Sequence, residues 1–503
     1  MTVYTGPSDV LYDCERPRTM RDLPEELLQY IFDNLQVSGP VDFEDDHRLQ
    51  RQTLAALCRV NKQFDRLAKP ILFHTVHLGE YQIPIRPFWE VLVQNPHLSS
   101  LVRSLHIDDW EHPRIEHDFT RDQTAAEIDS LSSEVSETLQ DAVKDMTAPL
   151  RSILGHMYDP VEGYQLVGIA DGMLVYLIAR CENLSCLELV VPHRFSTYTC
   201  VYPALRHMAQ LQAAADATNN QTPVKSLSKL KELRMRHWDT ENAFDISEAM
   251  PFWTFPSVNM FRGDMIDCTT AEGLAGAPAL KENNIRELDL DNALIEADGL
   301  REILSRCPKL ESLSIAWGSA SVGDCVVNHQ QLGQVLRDLP HLSKNLKKLI
   351  FDPTDAYDFE YSDDEYHEPL GCLTSFQSLE YLGLTPKGLI GEDDEDLDDY
   401  PNFAKVSLTE MLPESLRTFD VRGSHVQYTV EAHEKMRESM MPLDSQLYGL
   451  MNDARFQKLS TIKMNRLINE KETSVKDIGW KQVELKPKYM GHHDYALVRD
   501  GNQ

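Results

Sequence analysis

The sequence has few basic residues, no long apolar run and no signal-peptide pattern. Lys and Arg number 49 against 80 Asp and Glu, which gives a formal charge of −31 over 503 residues. Such a field repels a phosphate backbone, so we expect no nucleic-acid partner. The longest apolar run, residues 173–179, is far shorter than the roughly 20 residues of a membrane-spanning helix. Residues 1–18 lack the basic start and apolar core of a secretory signal.

Cysteines are also few, and recognisable catalytic or metal-binding sequence motifs are absent. The nine cysteines have no framework spacing, which favours free thiols in a reducing compartment, so we expect a soluble protein of the cytoplasm, the nucleus or both. Cys181 and Cys307 are predicted to be packing thiols. No phosphate-binding loop, dinucleotide fingerprint, zinc-protease or nucleophile-elbow motif occurs. The acidic run near residue 394 fails the EF-hand template at Asp399 and Lys405. We therefore predict no enzyme, cofactor or metal site, although an active site assembled from distant residues stays open.

The first strong pattern is helical and lies within residues 20–78. In RDLPEELLQYIFDNL, residues 21–35, Leu27 and Ile31 form one apolar row, and Leu28 and Phe32 form a second beside it. A polar stretch follows at 36–51. The pattern then predicts one helix over 53–70, ended by Pro70, and an extended segment over 71–78. Because so small a module buries little surface, its surplus apolar stripe must meet another part of the chain or a partner.

This module resembles the F-box, in the form found in fungal proteins. The resemblance depends on LPEELL at 23–28, IF at 31–32, LCRVNKQF at 57–64 and the ILFHTVHL segment at 71–78. It implies docking on the Skp adaptor, which binds a cullin scaffold and a ubiquitin-conjugating enzyme. The residues implied as adaptor contacts, some of which must instead pack the helices together, are Leu23, Pro24, Leu27, Leu28, Ile31, Phe32, Leu57, Val60 and Phe64.

From about residue 98 an apolar-x-x-apolar-x-apolar phrase recurs. The copies are Val102-Leu105-Ile107, Leu184-Leu187-Leu189, Leu230-Leu233-Met235, Ile285-Leu288-Leu290, Leu310-Leu313-Ile315, Leu346-Leu349-Phe351, Leu379-Leu382-Leu384, Leu416-Phe419-Val421 and Leu459-Ile462-Met464. Val258-Phe261-Gly263 is a poorer copy, and the gap from Leu105 to Leu187 has room for degenerate ones. A short strand, a loop and a helix repeated in this way resemble a leucine-rich-repeat solenoid. A conventional α/β domain with buried strands is the alternative.

In a solenoid the residues between the apolar positions face the concave side. We expect a few of them to contact a target protein and the others to be solvated, because few interface residues carry most of the binding energy. They are Glu188, Glu232, Arg234, Glu287, Asp289, Ser312, Lys348, Tyr381, Thr418 and Lys463.

Two acidic insertions follow repeat strands, at 355–368 and 391–400, with seven acids each and no Lys or Arg. Their composition fits solvated loops, and the functional alternative is a docking surface for a basic partner.

The predicted fold is mixed α/β, with a small helical F-box module before an irregular leucine-rich-repeat-like solenoid of strand-loop-helix units. We divide the chain into a tail at 1–19, the module at 20–78, the solenoid at 79–466, and a cap or tail at 467–503. The predicted function is substrate recognition in a Skp-cullin-F-box ubiquitin ligase, through proximity and without catalytic groups. A scaffold that binds the adaptor without promoting ubiquitination is the alternative.

Overall fold

The structure is a computed structural model. It describes residues 20, 23–35, 44–79, 83–108, 169–191, 201–202, 204–206, 208–209, 227–237, 243–269, 283–318, 327–353, 369–390, 407–422, 441–464, 478–485 and 495–499. The chain divides into two compact units, Met1–Val76 and His77–Gln503. The tail at 1–19 and both acidic insertions lie outside the described residues.

Three helices form the described part of the first unit. They are α1 (Glu25–Asp33), α2 (Glu44–Leu57) and α3 (Lys62–His74). Each helix places one apolar row in a shared core, where the rings of Phe32 and Phe64 meet edge to face with centroids 5.3 Å apart. The buried residues of this core are Leu28, Phe32, Leu54, Phe64, Leu67 and Ala68.

The prediction of a single helix over residues 53–70 is wrong, because α2 ends at Leu57 and α3 begins only after Asn61. The backbone of Asn61 is extended, and its side chain accepts a hydrogen bond from the Phe64 backbone N–H at 2.8 Å. This cap satisfies one of the donors that have no partner at the start of a helix. The apolar periodicity continues across the break, so the pattern merged two helices into one.

Two further boundaries differ from the prediction. Pro70 lies inside α3 rather than at its end, and the extended segment begins only at Thr75. A proline in a helix interior costs about 3 kcal/mol. The helix nevertheless continues, since Ile71 and Leu72 pack against the core. Because α2 begins at Glu44, part of the polar stretch at 36–51 is helical.

The second unit is built around one sheet of repeated strands. The strands are β1 (Thr75–Leu78), β2 (Ser104–Ile107), β3 (Cys186–Val191), β4 (Glu232–His237), β5 (Phe244–Asp245), β6 (Met260–Asp264), β7 (Ile266–Cys268), β8 (Glu287–Ile295), β9 (Ser312–Trp317), β10 (Lys348–Asp352), β11 (Tyr381–Leu384), β12 (Thr418–Val421), β13 (Thr461–Met464), β14 (Trp480–Glu484) and β15 (Tyr495–Arg499). Their order is β1-β2-β3-β4-β6-β8-β9-β10-β11-β12-β13-β15-β14, and off this path β7 pairs with β5 and β8.

Neighbouring strands from β2 to β13 are parallel, and the central apolar residues of successive copies lie side by side. The aligned residues are Leu105, Leu187, Leu233, Phe261, Leu288, Leu313, Leu349, Leu382, Phe419 and Ile462. The apolar positions of all nine predicted copies are buried. Buried and partly exposed residues alternate along most of these strands. This one-sided burial fits the repeat prediction and disfavours strands covered on both faces.

The remaining helices of the second unit lie between the strands. They are α4 (Ile85–Gln94), α5 (Ile169–Arg180), α6 (Ala297–Ser305), α7 (His329–Asp338), α8 (Pro340–Asn345), α9 (Pro386–Ile390), α10 (Leu408–Met411) and α11 (Met441–Asn452), with short 3-10 turns at Pro96–Leu101, Ile246–Glu248, Met250–Thr254 and Ala454–Phe456. Both predicted packing thiols, Cys181 and Cys307, are fully buried, and this burial raises the pKa of each to about 12.

Two irregularities of the array have physical explanations. The gap from Leu105 to Leu187 left room for one or two degenerate copies, but β2 and β3 are hydrogen-bonded neighbours, so no strand lies between them in the sheet. In the poorer copy, a Cβ on Gly263 would lie 1.9 Å from Ile266 Cδ1. The buried Ile266 side chain therefore occupies the space that the third apolar residue fills in the other copies.

The sheet ends in two antiparallel strands from the segment predicted as a cap or tail. β15 pairs with β13, and β14 pairs with β15. Trp480 on β14 is fully buried, and the Arg499 guanidinium lies 5.0 Å from the centroid of its ring.

Candidate interaction surfaces

The first unit exposes a group of large apolar side chains on α1. Leu27, Tyr30 and Ile31 are 49%, 69% and 39% exposed, although α1 has a complete apolar row in the core. Residues three and four apart lie on the same helix face, so the three side chains form one surface. We call Leu27, Tyr30 and Ile31 the α1 strip. Large exposed apolar surfaces mark sites of association in folded proteins.

The structure divides the predicted adaptor contacts into two groups. Leu28, Phe32 and Phe64 are buried in the helical core and unavailable to a partner, while Leu23 and Leu57 are half-buried against it. The members that are exposed are Pro24, Leu27, Ile31 and Val60. Tyr30 is exposed as well, and the sequence pattern had not selected it. The sequence did contain a signal for Tyr30, since this residue lies three positions after Leu27 and therefore on the same helix face.

An ion pair joins α1 to α3 within this unit. Arg66 Nη2 on α3 lies 2.5 Å from Glu25 Oε2 on α1. Both side chains are well exposed, so the pair stabilises the unit by no more than about 1 kcal/mol. The apolar core therefore holds α1 in place, and the strip is left over from that packing.

The predicted target residues share one face of the sheet, which we call the polar face. The strand register places them in two neighbouring rows. The first row contains Glu232, Glu287, Ser312, Lys348, Tyr381 and Thr418. The second contains Glu188, Arg234, Asp289 and Lys463, with Arg262, Ser314, Ile350, Gly383 and Asp420 between them. None of the ten predicted residues is buried.

At the β2–β6 end, charged side chains of the polar face pair with one another. His106 Nδ1 lies 2.8 Å from Glu188 Oε2, and Arg234 Nε donates to Glu232 Oε1 at 2.7 Å. Arg262 Nε lies 3.2 Å from the same Glu232 oxygen. Burial acts to raise the pKa of Glu188, but the contacts with His106 and Arg234 outweigh it and hold this pKa below its usual value. At this end of the polar face, Glu188 and Glu232 therefore each contact at least one basic side chain.

At the β10–β13 end, a second network surrounds Tyr381. The Tyr381 hydroxyl donates to Asp420 Oδ2 at 2.7 Å, and Arg422 Nη1 donates to Asp352 Oδ2 at 2.6 Å. Arg422 Nε also lies 3.4 Å from Asp420 Oδ2. Burial is the main factor that raises the pKa of Tyr381, and the Asp420 carboxylate adds to it. The sequence did not single out Asp352, Asp420 or Arg422, since only one residue per strand had been selected here.

Metal sites and membrane spans are two further possibilities for the part of the chain that the structure describes. No group of three or more His, Cys, Asp or Glu side chains there could hold a metal ion. Among the described helices, none combines the length and the apolar character needed to cross a bilayer.

Comparison with known proteins relates the repeat region to F-box proteins of plants. Residues 223–352 match a family described as "FBD-associated F-box protein At5g56370, LRR repeats". The chain is also 28% identical over 144 residues to "F-box/LRR-repeat protein At3g59210" of Arabidopsis thaliana. That match covers 26% of this chain and 28% of the relative. The match supports the prediction of a leucine-rich-repeat-like region for residues 223–352. The relative is a plant protein, so the fungal type of the prediction has no support.

Proposed function

We propose that this protein is a substrate-recognition subunit of a Skp-cullin-F-box ubiquitin ligase. In this proposal α1 and its neighbours form the F-box, and the Skp adaptor covers Leu27, Tyr30, Ile31 and Val60. The observation that supports it most is the α1 strip, an apolar surface beside a core that is already complete. The similarity of residues 223–352 to repeats of F-box proteins gives independent support.

The polar face is proposed to hold the target. Its rows present carboxylates, ammonium groups, hydroxyls and one tyrosine across successive strands, an arrangement suited to reading side chains of another protein. The ligase scaffold would then bring the charged ubiquitin carrier close to the held target. Holding reactants together supplies the rate enhancement, so this chain needs no catalytic group. We propose no enzymatic activity, and a location in the cytoplasm, the nucleus or both.

Co-purification with the Skp adaptor tests this function. The intact chain is compared with a truncation that begins at residue 75, which keeps β1 and removes the three helices of the first unit. The proposal expects adaptor binding by the intact chain and none by the truncated chain, with circular dichroism as the control for folding. Absence of binding by the intact chain would contradict it.

The alternative of a scaffold without turnover also requires adaptor binding, so a second measurement separates the two. Proteins held by the second unit are identified, and their abundance is followed after loss of this protein. A ligase receptor predicts that at least one of them accumulates and loses ubiquitin. Unchanged abundance and ubiquitination of all of them would favour the scaffold.

A further inference from the structure

Two lysines on the polar face converge on one aromatic ring. Lys348 Nζ on β10 lies 5.7 Å from the centroid of the Tyr381 ring, and Lys463 Nζ on β13 lies 5.5 Å from it. Tyr381 is on β11, between them, so one lysine approaches from each side. The electron-rich face of a tyrosine ring attracts an ammonium group at this distance. Both ammonium groups are therefore within cation–π distance of the same ring.

Neither ammonium group forms an ion pair or a hydrogen bond with a carboxylate of the described residues, although Asp420 lies opposite Lys463 in the strand register. The arginines of the same face each contact a carboxylate, such as Glu232 for Arg234 and Asp352 for Arg422. By contrast, the only polar contact of Lys348 and of Lys463 with the described residues is the Tyr381 ring. Counted together with Arg422, Asp352 and Asp420, the group has three positive and two negative charges, a local excess of positive charge in a chain with a formal charge of −31. An acidic segment that crosses the ring can place one carboxylate near each ammonium group, and each such pair of opposite charges attracts.

The ring is fixed before any ligand arrives. The Tyr381 hydroxyl is bonded to Asp420, and Arg422 spans Asp420 and Asp352 across β11. Gly383 on β11 leaves room for this arrangement, because a Cβ there would lie 3.3 Å from Arg422 Nε. A binding group that is already held in position loses little entropy when a partner binds.

We propose that Lys348, Tyr381 and Lys463 form a docking site for an acidic segment of a partner protein. Aspartate or glutamate carboxylates of that segment accept hydrogen bonds from the two ammonium groups, which stay anchored to the ring. All three side chains are half-buried on the face of a sheet, which suits a protein segment better than an enclosed small molecule. The identification of that partner as the ligase target rests on the proposed function, whereas the site itself does not.

Fluorescence anisotropy of a short labelled peptide of alternating glutamate and glycine tests the site on the full chain. Lys348→Gln with Lys463→Gln removes both charges and keeps side-chain length, and we expect binding to weaken by about tenfold or more. The matched control is Lys347→Gln with Lys458→Gln. It removes the same total charge, but Lys347 pairs with Glu311 and Lys458 is exposed elsewhere. The control should change binding by no more than about twofold.

Equal weakening by the two double variants would overturn the proposal, because it would show a response to overall charge alone. No measurable binding of the glutamate peptide to the intact chain would overturn it as well. The ring supplies a further check, since Tyr381→Phe should keep most of the binding and Tyr381→Leu should lose it. Loss in both variants, with folding intact, would assign the effect to the hydroxyl network and contradict the role of the ring.

Two further measurements distinguish the docking site from a phosphate-binding site and from the proposed ligase function. A peptide with a single phosphoserine among glycines probes phosphate recognition, and binding of that peptide alone would refute the assignment to acidic side chains. Skp adaptor binding is measured on the same preparations. If the glutamate peptide binds and the adaptor does not, the docking site stands and the ligase function fails. If the adaptor binds and the glutamate peptide does not, the docking site fails alone.

Discussion

The two candidate surfaces differ in chemistry, because the α1 strip of the first unit is apolar, whereas the polar face of the second unit carries many charged side chains. Leu27 and Ile31 lie beside a core completed by Leu28 and Phe32. Lys348 and Lys463 lie beside strand residues that are fully committed to the interior, such as Leu349 and Ile462. In both units the residues that fold the chain and those available to partners belong to the same short elements and differ only in the direction they face.

The comparison also shows why each surface should bind differently. An exposed apolar strip gains free energy from leaving water, about 25 cal/mol per Å² of buried area, and depends little on salt. A charged face gains selectivity and association rate from complementary charge, and this contribution weakens as salt screens it. The adaptor surface should therefore tolerate salt that weakens binding at the polar face.

The largest expected effect separates core from strip within α1. Phe32→Ala removes a fully buried ring from the helical core and should lower the free energy of unfolding by about 3–5 kcal/mol. Leu27→Ala changes a residue of the same helix that is about two-fifths of a turn away in direction and exposed, so it should change the free energy of unfolding by less than about 0.5 kcal/mol. Urea denaturation of the two variants checks this. Similar losses in both would show that Leu27 belongs to the core.

The next effect concerns the polar network of the second unit. Tyr381→Phe removes the hydrogen bond from the hydroxyl to Asp420 and should cost about 1–2 kcal/mol. Because burial and Asp420 raise the pKa of Tyr381, the neutral phenol is the form that folding favours. Its contribution is complete below the ordinary pKa of about 10 and is lost as pH rises further. Stability measured from neutral to alkaline pH should show the difference from Tyr381→Phe shrinking only above that value.

A smaller effect tests the break between α2 and α3. Asn61→Ala removes the cap that bonds the Phe64 backbone N–H and should lower stability by about 1 kcal/mol. Asn61→Asp keeps an acceptor at the same place and serves as the control. Should both variants unfold together at the same urea concentration, the cap would not be what separates the helices.

The smallest effect is expected just before the first residues of the neighbouring strands β8, β9 and β10. Glu311 contacts both Arg286 and Lys347 on neighbouring repeats, which lowers the pKa of its carboxyl. Arg286 and Lys347 are exposed and the Glu311 side chain is 27% exposed, so solvent screens these pairs and Glu311→Gln should lower stability by less than about 1 kcal/mol. The loss should vanish at high salt. A larger loss that persists in salt would mean that these ion pairs, rather than the apolar positions, hold the repeats in register.

Much of the fold follows from the sequence because apolar spacing reports burial directly. The i, i+3, i+5 phrase located every repeat strand from β2 to β13 apart from the accessory strands β5 and β7, since residues such as Leu288 and Leu313 must occupy equivalent places in a stacked core. Periodicity failed where a local bond decides the outcome. The Asn61 side chain caps the start of α3 after α2 has ended at Leu57. Pro70 is a second exception, which stays helical because residues on either side of it pack against the core.

The candidate surfaces were predictable only in part. The spacing of polar positions identified Lys348, Tyr381 and Lys463 separately, but their convergence depends on strand order and register. The reach of Arg422 across β11 to Asp352 joins residues 70 positions apart, which no local pattern reports. On α1 the sequence supplied both apolar rows, and only the packing of α2 and α3 decides which row is buried.

The most direct test of the account is the affinity of the Skp adaptor for a charged α1 strip. Leu27→Asp with Ile31→Asp should leave the helical core intact and weaken binding by roughly a hundredfold or more. Val91→Asp is the matched control, because Val91 is an apolar helix residue of the second unit that is 38% exposed, close to the 39% of Ile31. Calorimetric titration should show loss for the strip variant and unchanged affinity for the control. Unchanged affinity in the folded strip variant would contradict the central claim.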